Sequence, residues 1–179
     1  MKDNLSNIED QLLVMAARDG DAEAMVKLVS RWQKRLWQYV HRRTSNSQVT
    51  WDITQQCWLD IIKGIRRLND PACFKAWVYR IATNKSIDWL KNKSNEQYIE
   101  LDSIGVDHHH NEDGLRVKEL LHKLKDESMA VLTLYYFEEL SVTEISIALS
   151  VKPGTVKSRL FTAREELKEL WEKHFGDQL

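Results

Sequence analysis

The chain has 179 residues and nearly balanced charge, with 26 Lys and Arg against 27 Asp and Glu. It contains no run of about 18 apolar residues, and its polar, acidic N-terminus lacks the basic and apolar segments of a signal peptide. We therefore expect a cytoplasmic protein with no membrane segment of its own, built from one domain or two small ones.

The charges are distributed unevenly along the chain. Residues 1–94 carry 16 Lys and Arg against 10 Asp and Glu, residues 95–115 carry none against 6, and residues 116–179 carry 10 against 11. The acidic middle also lacks sustained helical periodicity, which is typical of a flexible connection. We predict two domains, 1–94 and 113–179, joined by an acidic linker at 95–112.

Helical periodicity dominates the N-terminal domain. A short helix is expected around Ile8 to Arg18, and Asp21 is a candidate N-cap for a longer helix that follows. In the longer helix, apolar residues recur at steps of three and four, which predicts one buried face. They are Met25, Leu28, Val29, Trp32, Leu36 and Val40.

The next helix, in the stretch WDITQQCWLDIIKGIRRL, has two different sides. Its apolar side, which includes Cys57, Trp58, Ile61, Ile65 and Leu68, is expected to lie in the core. The other side is free to contact a partner. It carries Asp52, Gln55, Gln56, Leu59 and Lys63.

A fourth helix is predicted after Asp70, which can cap it, with Pro71 at the first helical position. Its apolar stripe consists of Phe74, Val78, Ile81, Ala82 and Trp89. A neighbouring arc suits unpaired bases, because a base can stack on an indole while an amide reads its edge and cations hold the phosphates. Spacing alone equally allows a core tryptophan beside a solvated face. The arc contains Trp77, Arg80, Asn84, Asp88 and Lys91.

The C-terminal domain contains a helix-turn-helix pattern. Ser141 and Glu144 form a capping box before a short helix that ends near Ser150. After the turn SVKPG, a second helix has an apolar face, and its outward N-terminal residues suit a DNA major groove. Lys157 or Arg159 can bond to guanine edges. An ordinary helical hairpin is the alternative.

Catalytic motifs are missing from the sequence. There is no GxxxxGK[ST], GxGxxG, HExxH or GxSxG, so we expect neither an enzyme nor a cofactor. The cysteines Cys57 and Cys73 form no CxxC pair and are expected to be buried and reduced. A histidine cluster in the linker is interpreted as a polar loop rather than a metal site. It consists of His108, His109 and His110.

Three stretches, in this order and spacing, resemble a bacterial RNA polymerase sigma factor of the extracytoplasmic-function (ECF) type. They are WDITQQCWLDIIKGI, FKAWVYRIATNKSIDWL and LSVTEISIALSVKPGTVKSRLFTAREEL. The resemblance covers about residues 8–94 and 113–172. It implies an all-α protein of two small helical domains, the second a helix-turn-helix domain. It also implies promoter-specific initiation and three partners, namely core RNA polymerase, promoter DNA and an anti-sigma factor.

Carried over by position, the resemblance and the exposed faces give three sets of candidate site residues. The core polymerase set is Asp52, Gln55, Gln56 and Leu59. The set for the minus-ten strand is Trp77, Arg80, Asn84, Lys85 and Lys91. The set for the minus-thirty-five duplex is Pro153, Gly154, Thr155, Lys157, Ser158, Arg159 and Thr162.

The sequence departs from the family pattern at a few positions. Gln56 replaces a usual acid of the polymerase-binding motif. Glu139 stands where the family commonly has glycine, and a left-handed backbone there would cost about 1 kcal/mol. Lys125 and Ser128 lie where a proline and an arginine are usual.

Two other functions are compatible with parts of the sequence. One is a helix-turn-helix regulator that acts without being a polymerase subunit. The other is a helical interaction protein that binds no DNA. A C-terminal module with a net charge of −1 should bind duplex DNA weakly by itself, because affinity depends on the cations that displace counterions.

Overall fold

The computed structural model of the protein describes residues 2–93 and 112–176. It divides into two compact units, Met1–Asp102 and Ser103–Leu179. All regular structure within the described residues is helical, with no strand, which confirms the predicted all-α class. The histidines at 108–110 lie outside the described residues. The domain boundaries at 94 and 112 stay a prediction.

The described part of the N-terminal unit has four α-helices, with two short 3₁₀ turns between the third and the fourth. They are α1 (Lys2–Arg18), α2 (Ala22–Thr44), α3 (Ser47–Gly64) and α4 (Phe74–Lys93), and the turns are Ile65–Arg67 and Pro71–Cys73. α1 begins upstream of the expected start at Ile8. Its first apolar position, Leu5, is exposed. The residues before Ile8 therefore show no apolar periodicity from which the start of the helix could be predicted.

Side-chain caps determine where α2, α3 and α4 begin. Asp21 accepts two backbone N–H groups of the first turn of α2, at 2.8 and 3.1 Å. Asn46 accepts one at the start of α3, at 3.0 Å. The predicted cap Asp70, with Pro71 after it, is confirmed, but the first turn is 3₁₀ and the α-helix begins at Phe74.

The core of the N-terminal unit is rich in aromatic rings. Trp32 meets Phe74 edge to face with ring centroids 5.4 Å apart, and Tyr39 meets Tyr79 at 5.0 Å. The Tyr39 hydroxyl is also 2.6 Å from Thr83 Oγ1. These contacts join α2 to α4. Four members of the predicted α2 stripe are fully buried, namely Leu28, Trp32, Leu36 and Val40.

The described part of the C-terminal unit also has four α-helices. They are α5 (Glu112–Leu121), α6 (Asp126–Leu132), α7 (Val142–Leu149) and α8 (Pro153–Phe175), and a π-helical turn, Thr133–Phe137, follows α6. α5, α6 and α7 pack on α8. Their shared core includes Leu120, Leu132, Leu134, Ile145, Val156 and Leu160.

The turn before α7 contains a left-handed residue. Glu139 has φ 53°, a conformation in which its Cβ is crowded by the backbone. The sequence expectation for this turn is therefore confirmed, and the strain costs about 1 kcal/mol relative to glycine.

Asp10 joins α1 to the rest of the N-terminal unit. Its side chain is 10 % exposed and accepts hydrogen bonds from Arg31 Nε at 2.7 Å and Trp32 Nε1 at 3.0 Å. Arg31 also donates to the exposed Glu9 at 2.9 Å. A buried carboxylate therefore satisfies both a guanidinium and an indole of α2.

Replacing Asp10 with alanine should lower the free energy of unfolding by about 2–3 kcal/mol, because the buried Trp32 N–H loses its acceptor and the Arg31 guanidinium loses one of its two acid partners. Glu9→Ala removes only an exposed partner of the same guanidinium and should cost at most about 1 kcal/mol. Urea denaturation followed by circular dichroism measures both variants. Equal losses would contradict a special role for the buried carboxylate.

Candidate functional site

The side of α3 that the sequence assigns to a partner faces solvent. Asp52, Gln55, Gln56 and Leu59 are all exposed, while the opposite, apolar side of the helix is buried as predicted. Leu59 is 55 % exposed and Ile62 is 48 % exposed. Ile62 was not among the predicted contact residues, because it directly follows the buried Ile61 in an apolar run.

The two cysteines have different surroundings. Burial raises the pKa of the Cys57 thiol to about 12, so this side chain stays protonated and unreactive at neutral pH. Cys73 is half-buried rather than buried. Its Sγ lies 3.6 Å from Asp70 Oδ2, at the start of the turn that leads into α4. The expectation of burial was therefore right for Cys57 and wrong for Cys73, which lies at a helix end instead of on the apolar stripe.

α4 presents most of the predicted minus-ten set along one exposed arc. Arg80, Asn84 and Lys91 are exposed, and Trp77 is half-buried at the N-terminal end of the arc. Successive members are three, four and seven residues apart, close to one, one and two turns of about 3.6 residues, so their side chains lie on the same side of the helix. The arc therefore combines an aromatic surface, an amide and two cations, together with the exposed carboxylate of Asp88.

Lys85 lies apart from this arc. Its Nζ is 2.8 Å from Asp60 Oδ2 on α3, and the side chain is half-buried. The hydrogen bond to Asp60 raises the pKa of Lys85. In this structure Lys85 links α3 to α4, a contact between residues far apart in the sequence.

A cleft of about 430 Å³ opens beside Trp77, between the end of α3 and the start of α4. It is lined by Gly64, Arg67, Leu68, Asn69, Asp70, Cys73 and Trp77. Arg67, Asn69 and Asp70 are exposed and bring a cation, an amide and a carboxylate next to the indole. Arg67 and Asn69 were not among the residues predicted from the sequence. The available signal was a polar connection placed directly before the helix that carries Trp77.

Gly64 allows the indole to lie against the end of α3. A Cβ atom at this position would be 2.8 Å from Cζ2 of Trp77 and 3.3 Å from Cη2. The first distance is shorter than ordinary van der Waals contact between carbon atoms. A side chain at position 64 would therefore displace the Trp77 ring from its present place.

The helix-turn-helix prediction is confirmed in the C-terminal unit. Ser141 and Glu144 form the capping box, with Glu144 N donating to Ser141 Oγ at 3.2 Å and Ser141 N donating to Glu144 Oε2 at 2.8 Å. Ser150, with φ 55°, ends α7 in the left-handed conformation. α8 then begins at Pro153 and buries Val156, among others, against the unit.

The predicted minus-thirty-five residues do not form one continuous group on α8. Ser158, Arg159 and Thr162 share a cleft of about 300 Å³ next to α6. Lys157 is exposed but lies about 160° around the helix from Arg159, since each residue turns it by about 100°. Thr155 is half-buried, and the remaining members, Pro153 and Gly154, are exposed at the start of the helix.

Arg159 is already paired. Its Nη2 lies 3.0 Å from Glu127 Oε1 at the start of α6. Glu127 did not belong to the predicted set. Sequence spacing gave no indication of it, because the contact joins residues on two separate helices.

Among the described residues, no group of three or more His, Cys, Asp or Glu side chains is placed to hold a metal ion. The described helices also include none with the length and apolar character that crossing a membrane requires.

Two family models match the chain. Sigma-70 region 2 matches residues 28–96, and sigma-70 region 4 matches residues 114–167. The first match includes α3, α4 and most of α2. The second includes α6, α7 and most of α5 and α8.

Curated relatives of similar length match along most of the chain. The ECF RNA polymerase sigma factor SigW of Bacillus subtilis is 27% identical over 174 residues, with 87% of this chain and 93% of that protein covered. The ECF RNA polymerase sigma-E factor of Escherichia coli strain K12 is 26% identical over 180 residues, with 89% and 93% covered.

Solved structures share the fold. CnrH, in complex with the cytosolic domain of CnrY, has a TM-score of 0.72 at 24% identity and covers 93% of this chain and 99% of its own. The sigma factor RpoE of Bartonella quintana, in complex with the anti-sigma factor NepR, has a TM-score of 0.72 at 19% identity, with 82% and 95% covered.

Replacing Gly64 with alanine should destabilise the protein by about 1–3 kcal/mol, because the new methyl group overpacks against the Trp77 ring. In a Trp77→Phe background the same change should be neutral or stabilising. Phenylalanine lacks the outer ring atoms that the methyl group meets, and alanine favours helix more than glycine does. Denaturation of the two single variants and the double variant measures the coupling. Additive effects would show that the contact does not matter.

Proposed function

Because the chain belongs to the ECF sigma factors of bacterial RNA polymerase, we propose that its two helical units divide promoter recognition between separate surfaces. The chain directs promoter-specific initiation of transcription. In the proposal, the N-terminal unit binds core polymerase and the minus-ten strand, and the C-terminal unit reads the minus-thirty-five duplex. The main support for this division is that the aromatic cleft beside Trp77 lies in one unit and the helix-turn-helix in the other.

The cleft supports capture of an unpaired base. A base taken out of the duplex can stack on the Trp77 indole, and stacking contributes about 1–3 kcal/mol per base. The side chains of Asn69 and Asp70, which line the same cleft, offer donors and acceptors for the edge of that base. The exposed side chains that then follow the strand along α4 are Arg80, Asn84 and Lys91.

Lys85 contacts the same DNA strand only after its ion pair with Asp60 breaks. The pair is partly exposed, with Nζ 2.8 Å from Oδ2, and such pairs are worth at most about 1 kcal/mol. A phosphate that approaches α4 can therefore compete with Asp60 for the ammonium group. In the proposal, Lys85 is a contact formed during strand capture.

The exposed side of α3 supports binding to core polymerase. Leu59 and Ile62 form an apolar pair on the solvent side, next to the polar side chains of Asp52, Gln55 and Gln56. An apolar centre with a polar surround is the usual anatomy of a protein interface. Gln56 keeps hydrogen-bonding capacity at a position where the family usually has an acid.

The N-terminal part of α8 supports reading of the minus-thirty-five duplex. Residues 152–164 carry four Lys and Arg and no acid. Lys157 and Arg159 can both reach base edges or phosphates. Ser158 and Thr162 can donate hydrogen bonds to phosphates of the DNA backbone. The two cations extend from different sides of the helix, so they contact different parts of the groove.

Neither unit needs high affinity by itself. The C-terminal part from residue 116 has 10 Lys and Arg against 11 Asp and Glu, which predicts weak binding to free duplex at physiological salt. Once polymerase holds the chain over a promoter, each contact becomes intramolecular, and weak contacts add through effective concentration.

An anti-sigma protein is the proposed regulator of this chain. A structure with the same fold, RpoE of Bartonella quintana, is a complex with the anti-sigma factor NepR, and CnrH with the same fold is bound to the cytosolic domain of CnrY. We place the chain with polymerase in the cytoplasm, and as an initiation factor it is not an enzyme.

Run-off transcription tests the proposal. Core polymerase supplemented with the chain should initiate at promoters that the holoenzyme selects from a randomised pool, and core polymerase alone should not. Trp77→Ala should lower the yield by about tenfold, because a stacking surface for the captured base is lost. Trp171→Ala, a half-buried tryptophan outside the candidate sites, is the control. Initiation independent of the chain would favour a separate helix-turn-helix regulator or an interaction protein.

Leu59→Asp should weaken association with core polymerase by about tenfold or more, because it places a charge at the apolar centre of the proposed interface. Val26→Asp is the matched control, since Val26 is 66 % exposed on α2 and outside the candidate sites. Anisotropy of a labelled chain titrated with core polymerase measures both affinities. Equal losses for the two variants would place the interface elsewhere.

A further inference from the structure

Glu127 lies beside the helix proposed to read DNA and forms an ion pair with Arg159. The distance from Glu127 Oε1 to Arg159 Nη2 is 3.0 Å, and the side chains are 67% and 28% exposed. Glu127 is in the first turn of α6, and Arg159 is near the beginning of α8. An acid is therefore in direct contact with a cation proposed to bind guanine.

The ion pair lies in a polar cleft between α6 and α8. Lys125 Nζ is 4.0 Å from Glu166 Oε1 in the same cleft, so two carboxylates face two cations there. Ser158 and Thr162 also line it. Three residues of the minus-thirty-five set thus share their surroundings with an acid that has no role in the proposed function.

We propose that Glu127 is a specificity-determining residue of minus-thirty-five recognition, acting as an alternative acceptor for Arg159. The inference rests on the proposed function. When guanine is present, the guanidinium bonds to its O6 and N7 and leaves Glu127. When another base is present, the guanidinium stays on the carboxylate instead of losing its acceptors.

This competition lowers the preference for guanine. Selectivity is the difference in binding free energy between the right base and a wrong one. The complex with guanine is weakened, because the ion pair has to break before Arg159 can bind the base. The complex with another base loses less free energy, because the guanidinium keeps Glu127 as its acceptor. A partly exposed pair makes a small contribution, so the expected effect on base preference is about threefold to fivefold.

The experiment uses the full-length chain assembled with core polymerase and a pool of promoter fragments randomised in the minus-thirty-five segment. Retained fragments are sequenced for wild type and variants. Glu127→Gln should increase the enrichment of guanine at one base pair by about threefold to fivefold. Arg159→Ala should abolish the preference there, and the double variant should match Arg159→Ala.

Asp126→Asn is the matched control. Asp126 is an exposed acid in the same first turn of α6. Its substitution therefore changes the net charge, and removes a carboxylate from the helix N-terminus, in the same way as Glu127→Gln does. It should leave the base preference unchanged. Thermal unfolding verifies that all variants fold, which is expected because the substituted acids are exposed.

Several outcomes overturn the inference. Lower guanine enrichment in Glu127→Gln would show that the acid positions Arg159 for reading. An equal shift in Asp126→Asn, or a shift that persists without Arg159, would show a general charge effect. Identical profiles for wild type and Glu127→Gln, with fragments enriched in both, would refute this inference alone. If no fragment is enriched above core polymerase without the chain, the proposed function itself fails.

Discussion

The proposed N-terminal recognition surface depends on the contact between Trp77 and Gly64. The indole can lie over the end of α3 only because position 64 has no Cβ, which would approach Cζ2 to 2.8 Å. The aromatic contacts of Trp32 with Phe74 and of Tyr39 with Tyr79 hold α4 in place behind it. The connection between α3 and α4 then forms a cleft in front of a fixed ring. A preorganised stacking surface loses little conformational entropy when it binds a base.

Two cations of the proposed DNA surfaces are paired with acids within the protein. Lys85 contacts Asp60 at 2.8 Å, and Arg159 contacts Glu127 at 3.0 Å. Each pair removes a cation from the field that would attract any phosphate backbone, since non-specific affinity scales with the charges that displace counterions. Partly exposed pairs are nevertheless weak enough to exchange for a well-placed DNA acceptor. The pairs therefore lower non-specific attraction to phosphates, and at Arg159 the same exchange also lowers the preference for guanine.

The features that the sequence predicted well are those set by local chemistry. Asp21, Asp70 and Ser141 act as helix caps because their oxygens reach backbone N–H groups two or three residues away, and such spacing is readable directly. The buried stripe of α2 follows from helical periodicity in the same way.

Features that depend on contacts between two helices could not be predicted from the sequence. The Trp77–Gly64 approach, the Lys85–Asp60 pair and the Arg159–Glu127 pair each join residues that no spacing rule connects. Ile62 was missed for a different reason, because it directly follows the buried Ile61 in an apolar run and its exposed position was not considered as a partner contact.

Separate recognition units make modest contacts sufficient for a selective promoter interaction. One good bidentate contact discriminates by about 1–3 kcal/mol, which by itself leaves many competing sites in a genome. When polymerase holds both units over the same DNA, their discrimination free energies add, so the ratios of affinities multiply. A DNA sequence that satisfies only the unit proposed to read duplex then gains little affinity, because that unit has no excess of positive charge to retain the DNA. Selectivity consequently depends on the distance at which the two surfaces are held as much as on any single side chain.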